Sequence, residues 1–153
     1  MALNKKGTFL ATGTEAHMVQ QLGFPSCEFM KNLTRTQSPV QCLAFDPKGR
    51  NIAVGSGDGV IRLVNVASAQ YTVLKGHEDA ILCAAFDPKG EFFATSSADG
   101  TVKIWDVTDE PAEIKTVQQH TRLTLALHAN PVLACHREER MAAVWRPPRH
   151  SAC

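Results

Sequence analysis

Six histidines, five cysteines and a set of spaced carboxylates are the side chains through which this sequence would do chemistry. A metal centre needs ligands whose spacing lets them converge. Cys135 and His136 are adjacent, closer than a zinc pair wants, and no CxxC pair occurs anywhere. Asp46 and Asp87 would serve as paired carboxylates for acid–base work, yet each opens an Asp-Pro-Lys-Gly run, which is a turn former. His77 and Asp99 would make a dyad, but no serine or cysteine stands in a nucleophile elbow to use it. Gly55-Ser56-Gly57-Asp58-Gly59 has the look of a phosphate loop but lacks the following Lys-Ser/Thr and helix, so it reads as a hairpin turn. Cys42 and Cys83 read as small core residues. The residues point to a protein that is not an enzyme and carries no cofactor or metal.

Composition sets further bounds. The chain has 153 residues, 44% hydrophobic and 20% charged, an ordinary globular balance, with a net charge of +1. Residues 1–120 hold 11 basic and 13 acidic side chains, and the last 33 hold 5 and 2. No dense basic stripe announces nucleic-acid binding. Arg137, Arg140, Arg146 and Arg149 would reach phosphates, but Arg146-Pro147-Pro148-Arg149 cannot continue a paired strand and reads as a solvated tail. No apolar run approaches the ~20 residues of a membrane span. An odd number of cysteines suits a reduced compartment inside the cell.

The elements that would position these residues come as a repeat. Residues 40–66 and 81–107 align at an offset of 41 with no gap, and 12 of the 27 positions are identical. Register held through two turns and three apolar runs is beyond chance. Within the unit, Val40 to Phe45 runs into Asp46-Pro47-Lys48-Gly49, and Ile52 to Ser56 is stopped by Gly57-Asp58-Gly59. Val60 to Val66 is a third run and Gln70 to Leu74 a weaker fourth. Runs of about five residues broken by Gly and Pro exclude helices. Four strands in about 40 residues is the blade of a β-propeller.

Gly76-His77, Phe86-Asp87-Pro88-Lys89-Gly90, Ala98-Asp99-Gly100 and Ile104-Trp105-Asp106 resemble the WD repeats. The resemblance implies an all-β, incomplete propeller of about three to four blades. It also implies a structural tetrad of His77, Thr95, Asp99 and Trp105. In the preceding repeat Thr36, Val54, Asp58 and Val64 take those places, so that blade leans on apolar packing. Weaker copies flank the pair. Phe9 to Gly13 and Val19 to Leu22 echo Phe92 to Ser96 and Val102 to Trp105, with Glu15-Ala16-His17 for the Asp-Gly turn and a first strand expected before Met1. Downstream, Leu123 to Leu127, Pro131 to Ala134 and Met141 to Trp145 read as strands of another blade. The expected units are 1–35 (partial blade), 36–76 (a repeat lacking the signatures), 77–118 (a full repeat) and 119–153 (a degenerate blade with a basic tail). At a period of 41 the 153 residues hold about 3.7 blades, short of the roughly four to eight of closed propellers. The expectation is a truncated chain whose missing blades, or a second chain, close the ring.

The order Leu10-Ala11-Thr12, Val19-Gln20, Phe24-Pro25, Leu33-Thr34-Arg35, Ile52 to Ser56, Gly76-His77 and Trp105 resembles a more specific family. That is the N-terminal propeller of the acidic nucleoplasmic DNA-binding protein, also called the chromosome transmission fidelity or polymerase-alpha-binding replisome adaptor. The resemblance implies a nuclear adaptor linking the replicative helicase to DNA polymerase alpha–primase on chromatin, with DNA contact allowed. The family's second propeller and C-terminal DNA-binding box are not in this sequence. The alternative is a generic WD scaffold from another pathway, such as ubiquitin-ligase substrate recognition. In either case the loops between blades are the expected contact surface, with Arg35, Gln37, Glu78 and Asp79 as the residues expected to meet a protein partner.

Overall fold

The computed structural model describes residues 1–14, 16–107 and 111–118. They form twelve strands and, among the described residues, no helix. The first sheet contains β1 (Ala2–Leu3), β2 (Phe9–Gly13), β3 (Met18–Gly23) and β4 (Phe29–Arg35). The second contains β5 (Val40–Phe45), β6 (Asn51–Ser56), β7 (Ile61–Asn65) and β8 (Tyr71–Leu74). The third contains β9 (Ile81–Phe86), β10 (Phe92–Ser97), β11 (Thr101–Asp106) and β12 (Ala112–Gln118). Each is an antiparallel meander whose spatial order follows the chain. Three propeller blades are thus described, and the downstream strand expectations and the Arg137–Arg149 cluster lie outside the described residues.

Alternation along the strands gives each sheet two faces, and the faces build two seams. Ala11, Val19 and Leu33 of the first sheet pack on Ile52, Val54, Val64 and Val66 of the second. The opposite face of the second sheet offers Ala53, Ile61, Leu63 and Leu74 to Ile81, Ala84, Phe86, Phe93 and Trp105 of the third. The middle sheet is therefore buried on both sides. Burial runs through nearly all of Asn51–Ser56 and Ile61–Asn65 for that reason.

The first strand of the first blade does not lie before Met1, as the repeat had suggested. Ala2 and Leu3 pair with Ala11 and Leu10. The turn that follows, Asn4-Lys5-Lys6-Gly7, is a degenerate copy of Asp-Pro-Lys-Gly. Asn4 Oδ1 accepts hydrogen bonds from Thr8 N (2.8 Å) and Phe9 N (2.9 Å). Asp87 Oδ1 does the same for Glu91 N (2.8 Å) and Phe92 N (2.9 Å). Gly7, Gly49 and Gly90 close the three turns with φ of 64°, 69° and 73°, which only glycine adopts without strain. The missing proline hid this copy, because the turn needs the side-chain oxygen and the glycine more than the pyrrolidine. In the same blade His17 takes the place of the Asp-Gly glycine, with φ of 60° against 75° at Gly59 and 82° at Gly100.

Candidate functional site

The seam between the second and third blades holds a continuous hydrogen-bond chain. Trp105 pairs with Phe93 across β10 and β11, and Thr95 with Lys103, so the indole and the hydroxyl face the second blade together. Trp105 Nε1 donates to Thr95 Oγ1 at 2.9 Å, and His77 Nε2 lies 2.8 Å from the same hydroxyl. His77 Nδ1 lies 2.8 Å from Asp99 Oδ2. A carboxylate only accepts, so Nδ1 carries the proton, Nε2 is the acceptor and Thr95 donates to it. Every polar atom along the path is then satisfied by a neutral imidazole. The structure thus brings together all four residues that the resemblance had grouped.

Thr101 is a fifth member that the sequence reading missed. Its hydroxyl donates to Asp99 Oδ1 at 2.6 Å and lies 3.0 Å from His77 Nδ1, while its N–H reaches the same carboxylate oxygen at 2.7 Å. The signal was legible, since the preceding repeat has Val60 here and lacks the tetrad as well.

Electrostatics follow from this packing. Burial pushes His77 below its ordinary value, outweighing the pull of Asp99 in the other direction. Burial pushes the Asp99 carboxyl up. The hydrogen bonds from Thr101 Oγ1, Glu78 N, His77 and Thr101 N together outweigh it and hold Asp99 far below the ordinary carboxylate range. A neutral histidine beside a permanent carboxylate locks a loop to a turn. Thr95, the hydroxyl that donates to His77, is fully buried and is itself held by Trp105 Nε1.

A second cluster borders the lock. Lys103 Nζ donates to Glu113 Oε1 (2.9 Å), Glu113 Oε2 (3.0 Å) and Thr116 Oγ1 (2.7 Å), and Thr116 also bonds Glu113. The Thr116 bond and the Lys103 bonds hold the Glu113 carboxyl below its ordinary value. Gly76 lies over this corner. A Cβ there would stand 2.8 Å from Glu113 Oε2 and 3.1 Å from Trp105 Cη2, so the connector approaches the seam as closely as bare backbone allows.

The connector is also seated on the preceding blade. A Cβ on Gly59, in the β6–β7 turn, would meet His77 O at 2.7 Å and Asp79 O at 3.1 Å. Residues 76–79 are therefore held between Gly59 of the second blade and Asp99 of the third. Glu78 and Asp79 stand exposed beside the buried His77. Glu78 N donates to Asp99 Oδ2 at 3.0 Å, and Ser97 Oγ donates to Asp79 O at 2.7 Å.

The other connector is built differently. Arg35 and Gln37 are exposed on either side of buried Thr36. Thr36 takes the histidine's place in this repeat, which the sequence reading expected to lean on apolar packing. Its hydroxyl contacts His17 O (3.1 Å) and Ser38 O (2.7 Å), and its N–H donates to His17 O (2.8 Å). It ties the connector back to the first blade, because the threonine hydroxyl is too short to span the seam. Asp58 closes on its own turn through Ser56 Oγ (2.5 Å) and Val60 N (3.1 Å). Val54 and Val64, in the places of Thr95 and Trp105, are fully buried and apolar. The two pairs of exposed residues thus flank two different connectors and do not form one cluster.

Among the described residues no group of three or more His, Cys, Asp or Glu is placed to hold a metal ion. Among them, too, no helix is long and apolar enough to cross a membrane. Cys27, Cys42 and Cys83 are free thiols. Cys42 packs against the core of the second seam, and burial pushes its thiol up to about 12, the mark of a packing residue.

Known proteins share this fold. The solved structure of U3-55K superposes with a TM-score of 0.73 at 20% identity, covering 78% of this chain and 38% of that one. The crystal structure of the RRP9 WD40 repeats gives 0.72 at 20% identity, with the same coverage. At that identity the likeness is one of fold. The THO complex subunit 3 of Arabidopsis thaliana is 36% identical over 67 residues, which are 44% of this chain and 21% of that protein. The chain thus spans about two fifths of the solved structures and one fifth of the curated relative. The sequence profile of the WD domain, G-beta repeat, matches residues 27–65 and 68–106, about half of the chain. These two repeats and the four-stranded blades they fold into make the chain a member of the WD40 repeat family.

Proposed function

We propose that the chain is a non-enzymatic protein-interaction scaffold that presents its inter-blade connectors to partners. One observation carries the reading: exposed Glu78 and Asp79 sit on backbone clamped between Gly59 and Asp99. Such a loop offers charged side chains at little ordering cost. In this reading His77, Thr95, Asp99 and Trp105 are the structural lock, and Glu78, Asp79, Arg35 and Gln37 are the contacts. The units 1–35, 36–76, 77–118 and 119–153 are the corresponding repeats. The test is proximity labelling in cells with the wild-type chain and an E78K/D79K variant. Loss of a defined subset of neighbours is expected. An identical set from both proteins overturns the assignment of these two residues.

The finer reading is a segment of a nuclear replisome adaptor. It rests on the ordered resemblance from Leu10 to Trp105. The names of the relatives found, a THO complex subunit and U3-55K, come from other assemblies. A nuclear location is compatible with all of them and belongs to the proposal. Affinity purification separates the readings. Recovery of DNA polymerase alpha–primase or replicative helicase components supports the adaptor, and recovery of THO or U3 components in their place overturns it.

A further inference from the structure

Among the described residues, Arg62 is a cation without a counterion. It is 8% exposed, and its Nε and Nη1 are buried with no hydrogen-bond partner, while Nη2 is not among the sealed atoms. Arg62 pairs with Val54 across β6 and β7, so it shares the face of Val54 and Val64 that packs on the first blade. Gln21 and Thr34 line the opposite wall, since Gln21 pairs with Ala11 and Thr34 with Val19. Gln21 Oε1 and Thr34 Oγ1 are likewise buried without partners. Four of the five such side-chain atoms among the described residues therefore lie in this one seam.

The neighbouring repeat shows what is missing. Lys103 occupies the position of Arg62 one period later and is neutralised by Glu113, with Thr116 beside it. Glu113 pairs with Trp105, and Thr116 with Lys103. The corresponding pairs in the second blade are Tyr71 with Val64 and Val73 with Arg62. A phenol and an isopropyl group thus stand where a carboxylate and a hydroxyl would be. Tyr71 and Val73 are 53% and 41% exposed. They form an apolar lip on the outer strand, directly beside the unpaired guanidinium.

We infer that the outer mouth of the seam between the first two blades binds an acidic side chain of a protein partner. A Glu or Asp carboxylate accepts from Arg62 Nη2, the guanidinium nitrogen that is not sealed, and aliphatic neighbours in the partner cover Tyr71 and Val73. A hydrogen bond from a guanidinium to a carboxylate is charge-assisted and neutralises the cation. Leaving it buried and unpaired is costly. Water satisfies the orphan atoms but leaves the charge in place. A nucleic-acid backbone fits less well, because residues 1–120 carry 11 basic against 13 acidic side chains and no stripe to follow a polyanion. This surface is separate from the connectors and shares with the proposed function only the premise that the chain binds proteins.

The test is an array of twelve-residue peptides, each with one Glu among aliphatic residues and a Gln twin, probed with the full chain. Glu peptides should be retained over their twins by at least about tenfold, as expected for one hydrogen bond to a charged group. R62M should abolish that preference. Y71E, a change at an exposed site, should do the same by supplying the counterion internally, and should raise the thermal midpoint. The idea is overturned if no Glu-dependent retention appears or if both variants leave it unchanged, in which case the seam holds only water. It is overturned in favour of a phosphate ligand if an oligouridylate binds through Arg62 and the peptides do not. E78K/D79K run in parallel should keep the preference, so this inference and the connector reading fail independently.

Discussion

His77 Nδ1 stands 2.8 Å from Asp99 Oδ2, and the two residues belong to different levels of the fold. One sits on the connector between two blades, the other in a hairpin turn. The bond between them fixes how one blade follows the next, and its protonation state sets the conditions under which it holds.

Stability should fall in two steps as the solution is acidified. His77 is depressed in the folded chain, so the unfolded chain takes up a proton first. Folding free energy is lost as pH drops below the ordinary histidine value of about 6.5. Asp99 is depressed too, so its contribution is present above the ordinary aspartate value of about 3.9 and drains away as pH falls below it. Chemical denaturation from pH 8 to pH 3 should show both steps, and H77Q should lack the upper one.

Trp105 and Val64 occupy equivalent places in successive blades. Trp105→Ala should cost ~3–5 kcal/mol through the cavity it leaves. Val64→Ala should cost less, on the order of 1–2 kcal/mol for two lost methyl groups. Urea unfolding of both variants measures the difference. Equal losses would contradict the equivalence of the two positions.

Gly59→Ala should destabilise by more than about 1 kcal/mol. The new Cβ meets His77 O at 2.7 Å, and the backbone keeps a φ of 75°. The amide resonances of Glu78 and Asp79 should shift in the same variant. Unmoved resonances would mean that the turn does not seat the connector.

Asn4→Ala should remove the acceptor for two backbone N–H groups and cost ~1–3 kcal/mol. Amide exchange at Thr8 and Phe9 should accelerate first. Asn4→Asp, which keeps the acceptor, should leave exchange near the wild-type rate.

Thiol reactivity should follow packing. At pH 8 iodoacetamide should modify exposed Cys27 in the folded chain, while Cys42 waits for unfolding. Peptide mapping of the alkylated sites gives the order.

The sequence was most informative where one residue type has one geometric use. Asp-Pro-Lys-Gly and Asp-Gly marked turns because proline and glycine restrict the backbone, and the short runs between them marked strands. His77, Thr95, Asp99 and Trp105 could be grouped only through the resemblance to the WD repeats, since no spacing in the sequence itself joins them. Asn4-Lys5-Lys6-Gly7 escaped because the side-chain oxygen that builds the turn comes equally from asparagine. The backward tie of Thr36 escaped because a short hydroxyl finds whichever carbonyl is nearest. The unpaired state of Arg62 escaped for another reason. A charge shows its partner in sequence only when the register across strands is known, and Tyr71 stands where the neighbouring blade has Glu113.

Residues 76–79 rest on Gly59 of one blade and on Asp99 of the next. Their shape therefore exists only while the two blades are docked against each other. A ligand that requires that shape also holds the seam shut, and its binding free energy adds to the docking of the blades. In the proposed function, partner recognition at Glu78 and Asp79 and the docking of the two blades are then linked equilibria.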